Sequence, residues 1–89
     1  MTQALVVHGI YRHYKGDYYI VEGEGIHSET DEELVIYRGL YHGNKHGGQF
    51  NLCVRPKTMF LEELDAAMAQ EYGQKHRFEL QEIKSVAGH

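Results

Sequence analysis

The stretch YRHYKGDYYIVEGEGIH, residues 11–27, reads as two strands joined by a tight turn. Residues 10–15 make the first strand, and Lys15-Gly16-Asp17 supplies the turn chemistry that ends it. From Tyr18 to His27 the chain alternates. Tyr19, Val21, Gly23, Gly25 and His27 take one face, and Tyr18, Ile20, Glu22, Glu24 and Ile26 take the other. The glutamates mark the second face as the solvent side. Glycine at 23 and 25 on the inner face suits a strand that coils sharply or lets another backbone approach.

Working outward, Ser28-Glu29-Thr30-Asp31 is a turn, because short polar side chains bond their own backbone. A third strand over 33–41 is apolar on both faces, with Leu34, Ile36 and Leu40 on one and Val35, Tyr37 and Tyr41 on the other. That is the pattern of a strand covered on both sides. Residues 43–48 form a glycine-rich hairpin loop. Residues 50–55 alternate again, with Phe50, Leu52 and Val54 expected inward and Asn51, Cys53 and Arg55 outward. Pro56 holds Arg55 extended and closes the strand. Thr58 is the expected cap of one helix in which Phe60, Leu64, Ala67, Met68 and Tyr72 share a face, and Gly73 fits its C-terminal cap. A last strand over 76–83 points Phe78 and Leu80 inward.

Four strands, a helix and a closing strand predict a mainly β fold, a small SH3-like partly open barrel of about five strands with one helix before the last strand. Closure removes the exposed edges that threaten a small sheet. The alternative is an α+β open antiparallel sheet with one helix packed across it.

With 89 residues and a 42% hydrophobic fraction, the chain suffices for one domain, 1–89, near the small end of what folds unaided. Seven tyrosines and no tryptophan mean that much of the packing uses rings with a polar tip. The single Cys53 cannot form an internal disulfide, no apolar run approaches the ~20 residues of a membrane span, and the N-terminus lacks signal-peptide regions. A cytoplasmic location is expected. A net charge of −4 argues against coating nucleic acid through bulk electrostatics. The charge is uneven, however: Arg12 and Lys15 stand without an acid in 11–15, so a local basic face is compatible with the acidic total.

YRHYKG at 11–16, HSET at 27–30, VIYRGLY at 35–41, VRP at 54–56, MF at 59–60 and RFEL at 77–80 together resemble the small bacterial domains of domain-of-unknown-function family 1653. The resemblance spans residues 11–82. It implies a stand-alone bacterial domain with no established activity, and it transfers no catalytic residue. The acidic stretch 65–71 and the HGNKHGGQ loop look longer than the family pattern, which would make a partner specific to this member.

The resemblance concentrates on polar and aromatic residues. Alternation places Tyr11, His13 and Lys15 on one face of the first strand, and Arg12 and Tyr14 on the other. Packing and cross-strand pairs account for the tyrosines, at ~0.2–1 kcal/mol per pair. The basic side chains suit a groove where rings give flat contact and Arg or Lys meets an anion. Arg38 lies between Ile36 and Leu40 on an apolar strand, and a charge buried there must be paired. Glu29 or Glu33 is one candidate partner; alternatively, Arg38 and Arg55 flank an anion-accepting pocket. His42 and His46 have metal-like H-x3-H spacing but sit among loop glycines, with no carboxylate or thiol beside them. His13 and His27 are either neutral structural histidines or ligand-binding ones. Arg55 beside Cys53 can lower a thiol pKa, but no histidine is assignable to it. Ser28 follows His27 directly and points the other way in a strand, against a Ser–His dyad. The glycines of GEG are not followed by a helix, against a phosphate loop.

The leading expectation is a non-enzymatic binding module using Tyr11, Arg12, His13, Lys15, His27, Glu29, Tyr37, Arg38 and Arg55. Its partner is a protein segment or a small anionic ligand, with no cofactor, metal or membrane implied. Nucleic-acid binding by the same surface is an alternative, and so is an enzyme or metal site of His13, His27, Glu29 and Arg38. Met59, Leu61 and Met68 leave apolar surface with which a second copy can associate.

Overall fold

A computed structural model describes residues 4–40 and 52–82. These form strands β1 Ile10–His13, β2 Tyr18–Ile26, β3 Glu33–Gly39, β4 Leu52–Pro56 and β5 Phe78–Leu80, with helices α1 Lys57–Phe60 and α2 Ala66–Tyr72 before the last strand. All neighbouring strands are antiparallel, in the order β4-β3-β2-β1-β5. The fold is mainly β, as expected, and its one sheet stays open, so β4 and β5 are edges. No helix among the described residues is long and apolar enough to cross a membrane.

The first hairpin closes where its glycine predicts. His13 N–H donates to the Asp17 carbonyl and Gly16 N–H to the His13 carbonyl, each at 2.8 Å, and Gly16 sits at φ 115°. A side chain there would be strained, which is why the turn uses glycine. The turn takes both backbone groups of His13, so Tyr14 and Lys15 leave the predicted strand and belong to the turn. In β2, Tyr19 and Val21 face inward as expected, but the register then slips. Val21 pairs with Tyr37 and Gly23 with Ile36, one extra residue on β2. A bulge of this kind exchanges the two faces of a strand. Gly23 and Gly25 therefore join Ile36 and Leu34 on the outer face, and Glu24 comes round to the inner side, where Lys57 meets it at 2.9 Å.

The expected faces of β4 are reversed. Directly paired residues share a face, and Val35 pairs with Arg55, Tyr37 with Cys53, Ile36 with Val54 and Arg38 with Leu52. Val35 and Tyr37 are buried, so Cys53 and Arg55 face inward, while Leu52 and Val54 are 50% and 59% exposed. Hydropathy gives the period of a strand but not its phase. Here Arg55 is accommodated inside by the Tyr37 hydroxyl and the Phe78 ring.

The core is Tyr11, Val21, Val35, Tyr37, Phe60, Leu61 and Phe78. Its centre is aromatic: Phe60 and Phe78 stack at 4.2 Å with planes 9° apart, and Tyr11 meets Phe60 edge-on at 5.2 Å. The single helix expected from Thr58 does not form. It breaks after Phe60 because residues 62–64 run extended against 75–77, with Arg77 N–H donating to Glu62 O at 2.9 Å and Leu64 N–H to Lys75 O at 2.8 Å. Asp65 then starts α2 as its cap, its carboxylate accepting from Met68 N–H at 2.8 Å. Asp is a better cap than a helix-interior residue, and this is the local reason for the restart. Gly73 ends α2 in the left-handed conformation at φ 67°, as expected. The shared apolar face from Phe60 to Tyr72 is thereby lost, and no residue of α2 is buried. The last strand shortens to Phe78–Leu80 because Lys75 to Arg77 engage the 62–64 segment; Phe78 is buried, whereas Leu80 is exposed. Tyr41, His42, His46, Phe50, Asn51 and the predicted 43–48 loop lie outside the described residues.

Candidate ligand-binding site

β1 and β5 together set the candidate site. Tyr11 and His13 project from the inner face of β1, opposite Leu80 and Phe78 of β5. Tyr11 is wholly buried, and its hydroxyl accepts from Val6 N–H at 2.9 Å. Burial raises its phenol pKa above the ordinary value, opposed by that bond. Tyr11 is a core residue. His13, one turn of the pleat further on, is only partly covered. Its ring lies 4.5 Å from Tyr14, meets Phe78 edge-on at 4.9 Å and Tyr19 at 6.4 Å. Its Nδ1 accepts from Lys15 N–H at 3.2 Å, which leaves the proton of the neutral ring on Nε2.

Three cations converge on these same rings. Lys15 Nζ stands 5.8 Å and the Arg77 guanidinium 5.9 Å from the centre of Tyr14. Arg55 stands 5.7 Å from the centre of Phe78 and donates from Nε to the Tyr37 hydroxyl at 3.1 Å. Burial, then the charges of Arg77, Arg55 and Lys15, push the His13 pKa down to about 4, against a smaller opposing pull from Asp17. The imidazole is therefore neutral at pH 7. Arg77 is paired with Glu62, Nε to Oε1 at 2.8 Å. Neither Lys15 nor Arg55 forms an ion pair with a carboxylate among the described residues. Such cations over aromatic faces can bond an oxyanion directly while the rings supply flat contact surface.

The other predicted site residues lie elsewhere. Arg12 projects from the opposite face of β1, where Nη1 donates to Gln74 Oε1 at 2.7 Å. Tyr37 is in the core, only its hydroxyl reaching Arg55. Arg38 is on the outer face and pairs with Glu22, Nε to Oε2 at 2.7 Å, rather than with Glu29 or Glu33. The register explains this: Arg38 sits opposite Ile20, which places Glu22 diagonally across from it. Arg38 and Arg55 occupy opposite faces and do not flank one pocket. His27 and Glu29 lie at the β2–β3 turn, where His27 Nδ1 accepts from the Glu29 and Thr30 N–H groups at 3.1 and 3.3 Å. The nine residues of β2 separate that turn from His13 by roughly 25 Å at ~3.3 Å per residue. One pocket of His13, His27, Glu29 and Arg38 is therefore not formed. Among the described residues no group of three or more His, Cys, Asp or Glu side chains is placed to hold a metal ion.

The structure adds Tyr14, Arg77 and Tyr19 to the site. Arg77 stood in the RFEL motif with no visible role, because only the pairing of β5 with β1 brings it to the first hairpin, where Tyr14 N–H donates to its carbonyl at 2.9 Å. A cavity of about 410 Å³ is lined by Glu32, Glu33, Lys57, Leu61, Glu62 and Glu63.

The sequence profile of the family described as "Protein of unknown function (DUF1653)" matches residues 9–80. Among solved structures the chain is similar to the crystal structure of a protein belonging to DUF1653 from Bordetella bronchiseptica. The TM-score is 0.65 and the identity 28%, over 94% of this chain and 95% of that one. A comparison with curated proteins returned no match. The profile runs from the residue before β1 to the last residue of β5; the chain belongs to the DUF1653 family.

Proposed function

We propose that the domain is a non-enzymatic binding module, acting in the cytoplasm, whose site is the aromatic and basic surface around His13. Its ligand is a small anion or an acidic segment of another protein. The observation carrying this reading is that Lys15, Arg55 and Arg77 gather on the rings of Tyr14 and Phe78 within a chain of net charge −4. Arg77 is held by Glu62, but Lys15 and Arg55 have no carboxylate partner among the described residues, and all three charges press His13 toward its neutral form. Arg12 and Arg38 are, by contrast, satisfied by Gln74 and Glu22 on the other face and belong to the scaffold.

The test is a chemical-shift titration of labelled protein with sulfate, an acidic peptide and a short oligonucleotide. Shifts centred on His13, Tyr14, Lys15, Arg55 and Arg77, lost in the Arg55→Gln, Lys15→Gln double variant, support the reading. Shifts confined to other residues overturn it. Oligonucleotide binding that falls steeply with salt, without a response to sulfate or peptide, replaces it by a nucleic-acid role.

A further inference from the structure

We propose that capture of an oxyanion among Lys15, Arg55 and Arg77 draws a proton onto His13, so that the site holds its ligand more tightly in acid than at neutral pH. This coupling rests on the proposed function and concerns how that same site is regulated.

The geometry supplies the link. His13 touches both of the rings that carry the cations: Tyr14, which carries Lys15 and Arg77, and Phe78, which carries Arg55. The groups that face it come from every neighbouring element. Lys15, Asp17 and Tyr14 belong to its own hairpin, Tyr19 to β2 and Arg55 to β4; Arg77, with its partner Glu62, precedes β5. Burial and three positive neighbours hold the imidazole neutral down to about pH 4. An oxyanion seated among those cations cancels part of their field, and the Nε2–H is the ring donor that Lys15 N–H does not engage. The proton taken up goes onto Nδ1 and displaces the Lys15 N–H bond there; the imidazolium is then less repelled, and its Nε2–H becomes a charge-assisted donor. Linkage makes the effect reciprocal: an anion that favours the proton is favoured by it to the same extent.

Sulfate is the probe, because it carries the same charge from pH 7.5 to 5. Two readings are taken on the intact chain: the titration of the His13 Cε1–H resonance with and without sulfate, and the sulfate affinity across that pH range. Saturating sulfate should raise the His13 midpoint. If it does so by between one and two pH units, affinity rises roughly two- to tenfold from pH 7.5 to 5. His13→Asn keeps an acceptor for Lys15 N–H and should flatten that pH dependence while still binding. Lys15→Gln, at an exposed position, should raise the His13 midpoint in the absence of sulfate and weaken binding. Sulfate that shifts Lys15, Arg55 and Arg77 but leaves the His13 midpoint in place overturns the coupling and spares the binding site. A pH dependence equal in His13→Asn does the same. Sulfate that shifts none of them overturns both.

Discussion

Arg12 and Gln74 hold one another at both ends: Arg12 Nη1 donates to Gln74 Oε1 at 2.7 Å, and Gln74 Nε2 donates back to the Arg12 carbonyl at 2.8 Å. The same Nε2 also reaches the carbonyls of His76 and Arg77, at 2.9 and 3.3 Å. Gln74 is 5% exposed, the one buried polar side chain among the described residues. Its carboxamide thus ties the 74–77 segment to β1. Gln74→Ala removes the Nε2 donor from these carbonyls, of which Arg77 O keeps its bond from Tyr14 N–H, and a buried group stripped of a bond costs ~1–3 kcal/mol. We expect a loss of about 2 kcal/mol in urea unfolding. Arg12→Ala, which keeps the Gln74 donors in place, should cost less than half of that.

The aromatic centre and the β4 surface make opposite predictions. Phe60 is fully buried against Phe78, Tyr11 and Tyr37. Phe60→Ala removes that packing and leaves a cavity, an effect of ~3–5 kcal/mol. Against the ~5–15 kcal/mol of a typical domain, this is a large share of the stability. Val54→Ala, on the exposed outer face, should stay within ~0.5 kcal/mol. Denaturation midpoints of the two variants check the inward phase of Cys53 and Arg55 directly. Equal losses would restore the phase that hydropathy suggests.

The contrast between these positions shows what the sequence could and could not reveal. The hairpin at Gly16 and the cap at Gly73 were legible because each depends on one residue's backbone freedom. The inward face of β1 and the first half of β2 were legible because alternation runs unbroken there. Beyond Val21 a one-residue bulge reversed the faces, and a bulge leaves no mark in hydropathy. In β4, Leu52 and Val54 outweigh Cys53 and Arg55 on any apolar scale, yet Arg55 lies inward, because Tyr37 and Phe78 receive it from other strands. Among the candidate site residues, His13, Lys15 and Arg55 come together as a cluster, whereas Arg12, His27, Glu29 and Arg38 are spread over another face and the far turn. Arg77 was invisible in its role because its neighbour Tyr14 is more than sixty positions away along the chain.

Helix α2 should behave as a locally unstable unit. It buries none of its residues and is bounded by the Asp65 cap and the left-handed Gly73. Asp65→Ala removes a bond worth ~0.5–2 kcal/mol. Gly73→Ala meets open space but must adopt φ 67°, a penalty of ~1–2 kcal/mol. Because local opening takes place below the global free energy, hydrogen exchange at the amides of 68–73 should speed up by about twofold or more in Asp65→Ala and about fivefold or more in Gly73→Ala. The global unfolding midpoint should move far less than in Gln74→Ala.

The depressed His13 pKa gives stability a definite pH dependence. The group titrates near 6.5 when unfolded and near 4 when folded, so between those values the unfolded chain binds more protons. Stability from this residue is therefore fully present above about pH 6.5 and is lost progressively as the pH falls toward 4. One proton sets the slope at no more than ~1.4 kcal/mol per pH unit. His13 is partly open to solvent, which screens the neighbouring charges and keeps the measured slope below that ceiling. Urea unfolding from pH 7.5 to 4.5 should show the decline, and His13→Asn, which cannot take up the proton, should be less sensitive over the same interval. A decline of the same steepness in His13→Asn would assign the acid sensitivity to the carboxylates instead and remove the cation field from the account of His13.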